Sequence, residues 1–230
     1  MRVVLFDIDG TLLWTDGAGR RAVHQALGDI FGALPPDGHE FDGKTDPQIV
    51  RELMRLAGVP DAAIDARLPD ALGRYVELLH HELAADDHTG RTFPGIAVLL
   101  DALEAREDVM LGLLTGNVHE GALAKLKAVG IRNERFRIGA FGSDHPARSE
   151  LPAIARARAE ELLGHTVAGG DVVVIGDTPA DMRCGNGIGA RAIGVATGRY
   201  SVAELAACGP AGVFPDLSDT TAVVRAILGE

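Results

Sequence analysis

The sequence predicts an α/β protein, a doubly wound parallel sheet interrupted by an inserted α-helical domain. Three observations carry this expectation. Short apolar runs rich in β-branched residues recur along the chain, and each ends in a polar turn. Helical patterns lie between these runs. Residues 15–92 break the alternation, showing helical periodicity and no convincing strand. Strands covered by helices on both faces read as continuous apolar runs, and strands alternating with helices build parallel sheets.

The first run, Arg2 to Phe6, closes in Asp7-Ile8-Asp9-Gly10-Thr11. Within the insertion, Asp46-Pro47 reads as an N-cap followed by proline at the first helical position. Ile49, Val50, Leu53, Met54 and Ala57 then form an apolar stripe closed by Gly58. A longer helix is expected from about Asp70 to Ala85. Gly17, Gly19 and Gly95 mark hinges, which puts the sheet domain at 1–14 and 93–230 and the helical domain at 15–92.

Beyond Phe93-Pro94-Gly95 the alternation resumes. Val109 to Leu114 is a strand ending in Thr115-Gly116-Asn117. Asn117 suits the N-cap of a helix that places Ala122, Leu123, Leu126 and Val129 on one face, with Gly130 at C′. Phe136 to Ala140 is a weaker strand. Leu151, Ile154, Ala155 and Leu162 mark another helix. Asp171 to Ile175 is a strand that ends in Gly176-Asp177-Thr178-Pro179. Ala192 to Val195 precedes Ala196-Thr197-Gly198, and Gly212 to Phe214 is a last short strand.

With 230 residues, 47% of them hydrophobic, the chain can build a sizeable core. A net charge of −11 argues against a nucleic-acid-binding surface, which needs clustered cations. Two cysteines support neither a metal cage nor a disulfide framework. The N-terminus lacks the pattern of a signal peptide, and no apolar run approaches the ~20 residues that span a bilayer. The expectation is a soluble, cytoplasmic protein with no membrane partner. Of the 22 basic residues, 19 are Arg; the lysines are Lys44, Lys125 and Lys127.

In doubly wound sheets, ligands bind beyond the carboxyl ends of the strands, where the polar turns of this chain fall. Asp7 and Asp9 place two carboxylates just past a buried strand. If both point into one cleft, their charges repel unless a cation sits between them. A hard divalent ion, most naturally Mg²⁺, relieves this. One carboxylate can then attack phosphorus while the other protonates the departing alcohol.

Val3-Val4-Leu5-Phe6-Asp7-Ile8-Asp9-Gly10-Thr11-Leu12 resembles the first motif of haloacid dehalogenase-type phosphatases, whose core is Rossmann-like. The resemblance implies that Asp7 is a nucleophile forming an aspartyl phosphate and Asp9 the general acid/base, its backbone carbonyl touching the metal. Leu114-Thr115-Gly116-Asn117 resembles the second motif. It implies phosphoryl binding by the Thr115 hydroxyl and the amides of Gly116 and Asn117, as suits a turn that opens a helix. Gly176-Asp177-Thr178-Pro179-Ala180-Asp181 resembles the fourth motif, with Asp177 on the metal and Asp181 in support. The third motif usually supplies a lysine, and here the chain departs, because every lysine precedes residue 128. Arg148 stands in the lysine's place. Arg156 and Arg158 compete for it, but lie within the following helix and are expected to face solvent.

The resemblance covers the whole chain in outline, and the insertion is similar to the helical cap of the subgroup with phosphoglycolate phosphatase and β-phosphoglucomutase. It implies Mg²⁺-dependent hydrolysis of a small phosphorylated metabolite, with phosphoglycolate as the best single substrate. Asp9 speaks against a dehalogenase or a phosphonate hydrolase. A mutase is harder to exclude, although Asp46 stands where such enzymes carry Arg. A phosphoacceptor module would need no helical insertion, and a non-catalytic regulatory binder would not need every catalytic carboxylate. In the insertion, Lys44 is expected to reach a second anionic group or else to be a solvated loop lysine. His24, His80 and His81 lack partners at ligand spacing, and His145 lies three residues before Arg148 and could approach the site. Trp14 packs at the hinge or faces substrate, and Cys184 reads as a packed thiol.

Overall fold

The computed structural model describes residues 1–36 and 38–230. Six parallel strands form one sheet in the order β5(Ile138–Ala140), β4(Val109–Leu114), β1(Arg2–Phe6), β6(Val172–Gly176), β7(Arg191–Val195), β8(Gly212–Phe214). The chain runs outward from β1 through β4 to β5, then returns to β6 and runs the other way. The reversal lies between β1 and β6, and it opens a crevice at their carboxyl ends.

Alternation along the strands explains why both faces are covered. Val4 and Phe6 of β1, with Val173 and Ile175 of β6, face a core shared with α4(Ile96–Glu104), α5(His119–Ala128) and α9(Thr220–Leu228). Val3, Leu5, Val172 and Val174 point the other way, onto α6(Leu151–Leu163) and α7(Pro179–Cys184). Burying both sides of each strand is what the continuous apolar runs require. Short α8(Val202–Ala206) covers the β7 end through Leu205.

The inserted segment holds α1(Ala18–Phe31), α2(Asp46–Leu56) and α3(Asp61–Leu83), which share a separate apolar cluster that includes Leu27, Leu53, Ile64 and Tyr75. Two-residue strands β2(Leu13–Trp14) and β3(Arg91–Thr92) pair antiparallel where the chain enters and leaves this part. Strands this short lack a sequence period. Among the described residues no helix is long and apolar enough to cross a membrane.

Local expectations shift in several places. The N-cap of α2 is Thr45, whose hydroxyl accepts from Gln48 N, so Asp46 and Pro47 are the first two helical residues. The long helix starts at Asp61, not Asp70, and runs through Pro69, which removes one backbone donor and marks no boundary. Asn117 is not the N-cap of α5; Val118 holds that position, and the Asn117 amide is used elsewhere. Gly19 is the second residue of α1. Gly17 and Gly95 do have positive φ and precede α1 and α4.

Candidate active site

Asp7 follows β1 directly, and its N–H still donates to Ile175 O of β6 at 2.9 Å, so the strand pairing sets where its carboxyl points. Asp177 follows β6 in the same way. Gly10 turns with φ +80°, and a Cβ there, or at Gly198, would strike the Asp177 carboxylate. These two glycines leave the space that this carboxylate fills. Thr11 Oγ1 donates to Asp177 Oδ1 at 3.1 Å. Asp181 is fixed by the capping box of α7, accepting from Thr178 N at 3.0 Å and Thr178 Oγ1 at 2.6 Å through Oδ2. Its Oδ1 is left to Arg148.

Asp7, Asp177 and Asp181 are all buried, with carboxylate oxygens within 4.8 Å of one another. Arg148, just before α6, faces them, its Nη2 also lying 3.5 Å from Leu114 O at the end of β4. Its Nη2 lies 3.1 Å from Asp7 Oδ1 and ion-pairs with Asp181 Oδ1. Burial pushes Asp7 up to about 6, Arg148 opposes this, and Asp181 and Asp9 add to it. Asp177 is raised well above its usual range, first by burial and then by Asp181 and Asp7. The Arg148 guanidinium stays protonated, because its two carboxylate neighbours outweigh the desolvation that opposes its charge. Three buried carboxylates against one cation form an oxygen-only, negative donor set, which fits a hard divalent ion.

The turn after β4 brings a second set of groups. Thr115 N donates to Ala140 O and Val118 N to Asp46 Oδ2, so neither amide is free. Gly116 N–H donates to no described group. Thr115 Oγ1 accepts from Asn117 Nδ2 at 2.8 Å, which leaves its own proton available. Asn117 Nδ2 also reaches Asp9 Oδ2 at 2.7 Å. The first, second and fourth motifs and Arg148 therefore meet in one cleft.

Sequence reasoning missed Lys125. From α5 its Nζ contacts Asp9 Oδ1 at 2.9 Å and Oδ2 at 2.7 Å, and Asn117 Oδ1 at 2.6 Å. It cannot supply the third-motif cation, but it reaches the site by another route. A signal existed: Lys125 lies three residues after buried Ala122 and next to buried Leu126, on the apolar side of an amphipathic helix.

A cavity of about 180 Å³ rises from this floor to a wall that includes Val23, Phe41, Ile49 and Tyr75 of the insertion. Lys44 borders it, but its Nζ is held by Glu52 at 2.6 Å and His39 at 3.2 Å. It is thus neither a solvated loop lysine nor a bare cation. Trp14 lines the cavity and is 42% exposed. Arg156 and Arg158 are elsewhere, paired with Glu160 and Asp144. His80 and His81 are exposed, and the His145 ring bonds to its own loop at Ala147. Burial pushes the Cys184 thiol up to about 12, as befits a packed group.

The insertion is latched to the floor. Asp46 N donates to Gly116 O at 2.8 Å, the Asp46 carboxylate accepts from Val118 N at 2.8 Å, and Thr45 Oγ1 donates to Pro146 O at 2.7 Å. A Cβ on Gly116 would strike Lys44 O, so this contact needs glycine. Burial raises Asp46 from 3.8 to about 6, with Lys125 opposing. The folded state therefore binds this proton more tightly than the unfolded chain. The resulting stability is full below 3.8 and lost as pH rises through about 6. Asp46→Asn, which still accepts from Val118, should be more stable than the parent near neutral pH by on the order of 2 kcal/mol. The gain should fade as pH falls toward 3.8. Thermal unfolding followed by circular dichroism measures it; a difference independent of pH would rule out a buried charge as its cause.

Comparison with known proteins adds the following. A family model of haloacid dehalogenase-like hydrolases matches residues 1–189. The probable phosphatase IndB of Dickeya dadantii (strain 3937) is 26% identical over 229 residues, covering 98% of this chain and 94% of that protein. A predicted phosphoglycolate phosphatase from Haemophilus somnus 129PT superposes over 97% of this chain and 98% of its own, at 19% identity and TM-score 0.71. CbbY from Rhodobacter sphaeroides, solved in complex with phosphate, covers 95% of this chain and 96% of its own, at 22% identity and TM-score 0.70. At such identities the two solved structures speak to the fold alone.

Proposed function

The chain belongs to the haloacid dehalogenase-like hydrolases, and from that premise we propose that it hydrolyses a small phosphate monoester through an aspartyl phosphate on Asp7. The carrying observation is the convergence of Asp7, Asp177 and Asp181 around Arg148 at the floor of a small cavity. The similarity to a probable phosphatase over nearly the whole chain supports the reaction class.

The Asp7 carboxylate attacks phosphorus in line and the bond to the ester oxygen breaks. Asp9 protonates that oxygen as it departs, then takes a proton from the water that attacks the aspartyl phosphate. Inorganic phosphate leaves and Asp7 is regenerated. Arg148, the Thr115 hydroxyl and the Gly116 N–H hold the phosphoryl oxygens. Asn117, expected to bind there as well, instead gives its N–H to Thr115 Oγ1 at 3.3 Å and steadies that hydroxyl. Asp7, Asp177 and the Asp9 carbonyl would hold Mg²⁺, with Asp181 in support, and the ion would neutralise charge on the transferring group.

Residues 15–92 act as a cap that selects the substrate without taking part in the chemistry. A cavity of about 180 Å³ suits a substrate of a few carbons, phosphoglycolate being the leading candidate. Lys44, steadied by Glu52, would face its second anionic group. Asp46 is spent on the Val118 amide, so the cation that a mutase places there is absent, which favours hydrolysis.

The test is phosphate release from a panel of small phosphorylated acids and sugars, with Mg²⁺ or EDTA. Turnover should require Mg²⁺, and Asp177→Ala should raise the Mg²⁺ needed for half-maximal rate at least about tenfold. Full activity in EDTA would refute the metal-dependent mechanism.

A further inference from the structure

We infer that Lys125 is a positioning residue for Asp9: its ammonium holds the acid/base carboxylate at the angle from which it meets the leaving oxygen. This rests on the reading of Asp9 as the acid/base. Nothing in the motif pattern assigns Lys125 a part.

The geometry is specific. Asp9 is the one motif carboxylate outside the buried acidic cluster; its side chain is 39% exposed, while that of Lys125 is 6% exposed. A half-exposed Asp on a turn would sample several rotamers. Here both of its oxygens are taken by Lys125 Nζ, at 2.9 and 2.7 Å, and Oδ2 also accepts from Asn117 Nδ2. Asn117 is itself fixed, giving its amide to Thr115 Oγ1 and accepting from Lys125 Nζ at 2.6 Å. The three residues close a ring of charge-assisted hydrogen bonds, so the carboxylate keeps one orientation.

The surroundings make room for the ammonium. Gly19 is the second residue of α1. A Cβ there would sit 3.3 Å from Lys125 Nζ, closer than ordinary contact. Absence of a side chain at Gly19 lets the ammonium stand between the insertion and the floor. The Tyr75 hydroxyl lies 3.8 Å from the same point. Asp46 adds a second negative charge nearby, offsetting the cost of burying an ammonium. Burying a long flexible cation is otherwise unfavourable, and its contacts with Asp9 and Asn117 are what it gains in this place.

The prediction separates positioning from structure through the leaving group. A poor alkoxide leaving group needs the proton from Asp9, whereas p-nitrophenolate departs without it. Lys125→Met keeps the aliphatic stem and removes the charge. In Mg²⁺, kcat/KM for glycerol phosphate should fall about 10- to 100-fold, part of the ~10²–10⁴-fold that a positioned acid contributes. For p-nitrophenyl phosphate it should change less than about threefold. In an Asp9→Asn background, Lys125→Met should have almost no further effect, because the carboxylate it orients is gone.

Equal losses on both substrates, or a full additional loss in the Asp9→Asn background, would overturn the inference and leave Lys125 a structural residue. So would no loss on either substrate. Failure of the underlying reading looks different: Asp9→Asn alone would then retain turnover of glycerol phosphate. Melting temperatures of all variants show whether the fold is intact. If Lys125→Met unfolds, Gly19→Ala serves in its place, pressing on the ammonium by a few tenths of an ångström without removing it. It should lower kcat/KM for glycerol phosphate more than for p-nitrophenyl phosphate, though by less than the loss expected of Lys125→Met; equal changes on both substrates would also overturn the inference.

Discussion

Asp7→Asn should give a folded protein with no measurable turnover, a loss on the order of 10⁴–10⁶-fold, the scale seen when a covalent nucleophile is removed. Asparagine keeps the shape of the side chain and can still accept from the neighbouring backbone, but it cannot attack phosphorus. The stability effect should run the other way. Burial and neighbouring carboxylates hold Asp7 up at about 6, so its ionised form costs the folded state above that pH. In EDTA near neutral pH the variant should therefore melt at or above the parent, while below the usual carboxylate range the two should converge. Kinetics in Mg²⁺ and thermal unfolding in EDTA test both halves on the same preparation. More than a few per cent of parental kcat would remove Asp7 from the nucleophile's role. An inactive variant that is also unfolded would show that its carboxylate is structural.

Arg148→Ala should cost about 10²–10³-fold in kcat, the scale for loss of a charge-stabilising donor. The fold should suffer too, because the variant leaves Asp7, Asp177 and Asp181 facing one another without the buried cation that contacts two of them. Removing one partner of a buried ion pair typically costs ~3–5 kcal/mol. Mg²⁺ should then raise the melting temperature of the variant more than that of the parent, as a divalent ion offsets the exposed repulsion, while kcat stays low. Arg148→Lys should recover part of the activity; a point charge replaces the planar fork but not its geometry. Arg158→Ala is the control. Arg158 pairs with Asp144 and Gly139 O, away from the cavity, and its loss should leave turnover within about threefold of the parent, as for other partly exposed pairs. A silent Arg148→Ala would move the phosphate-binding cation elsewhere.

Much of the architecture was legible along the chain. The strands that became β1, β4 and β6 are buried on both faces, so nearly every position is apolar, and their polar ends stand out. Since ligands collect at those ends, Asp7, Thr115 and Asp177 could be located before any contact was known. Arg148 was legible only through the family resemblance, whose third motif calls for a cation there, together with the absence of lysine after residue 127.

Other features were legible only weakly. The two-residue strands β2 and β3 carry no period to read, and helix ends are set by which group caps them. Thr45, Asp46 and Pro47 all suit a helix start, and only the bond from Gln48 N to Thr45 Oγ1 decides among them. Asn117 suits a cap equally well, yet its amide is drawn to Asp9 and Thr115.

The sequence by itself determined the fold class and the identity of the acidic residues, because both rest on local pattern: apolar runs, their period and the turns that end them. Only the tertiary structure decided how those acids are divided. Asp181 joins Asp7 and Asp177 beside Arg148, while Asp9 turns away to Lys125, 116 residues distant in the chain. Lys44, the cation that sequence pattern offered to a substrate, borders the cavity already paired with Glu52, eight residues on. Charge pairing at this range depends on which helix face meets which strand end, and on small residues such as Gly19 that leave room for a partner. No local pattern along the chain encodes that geometry.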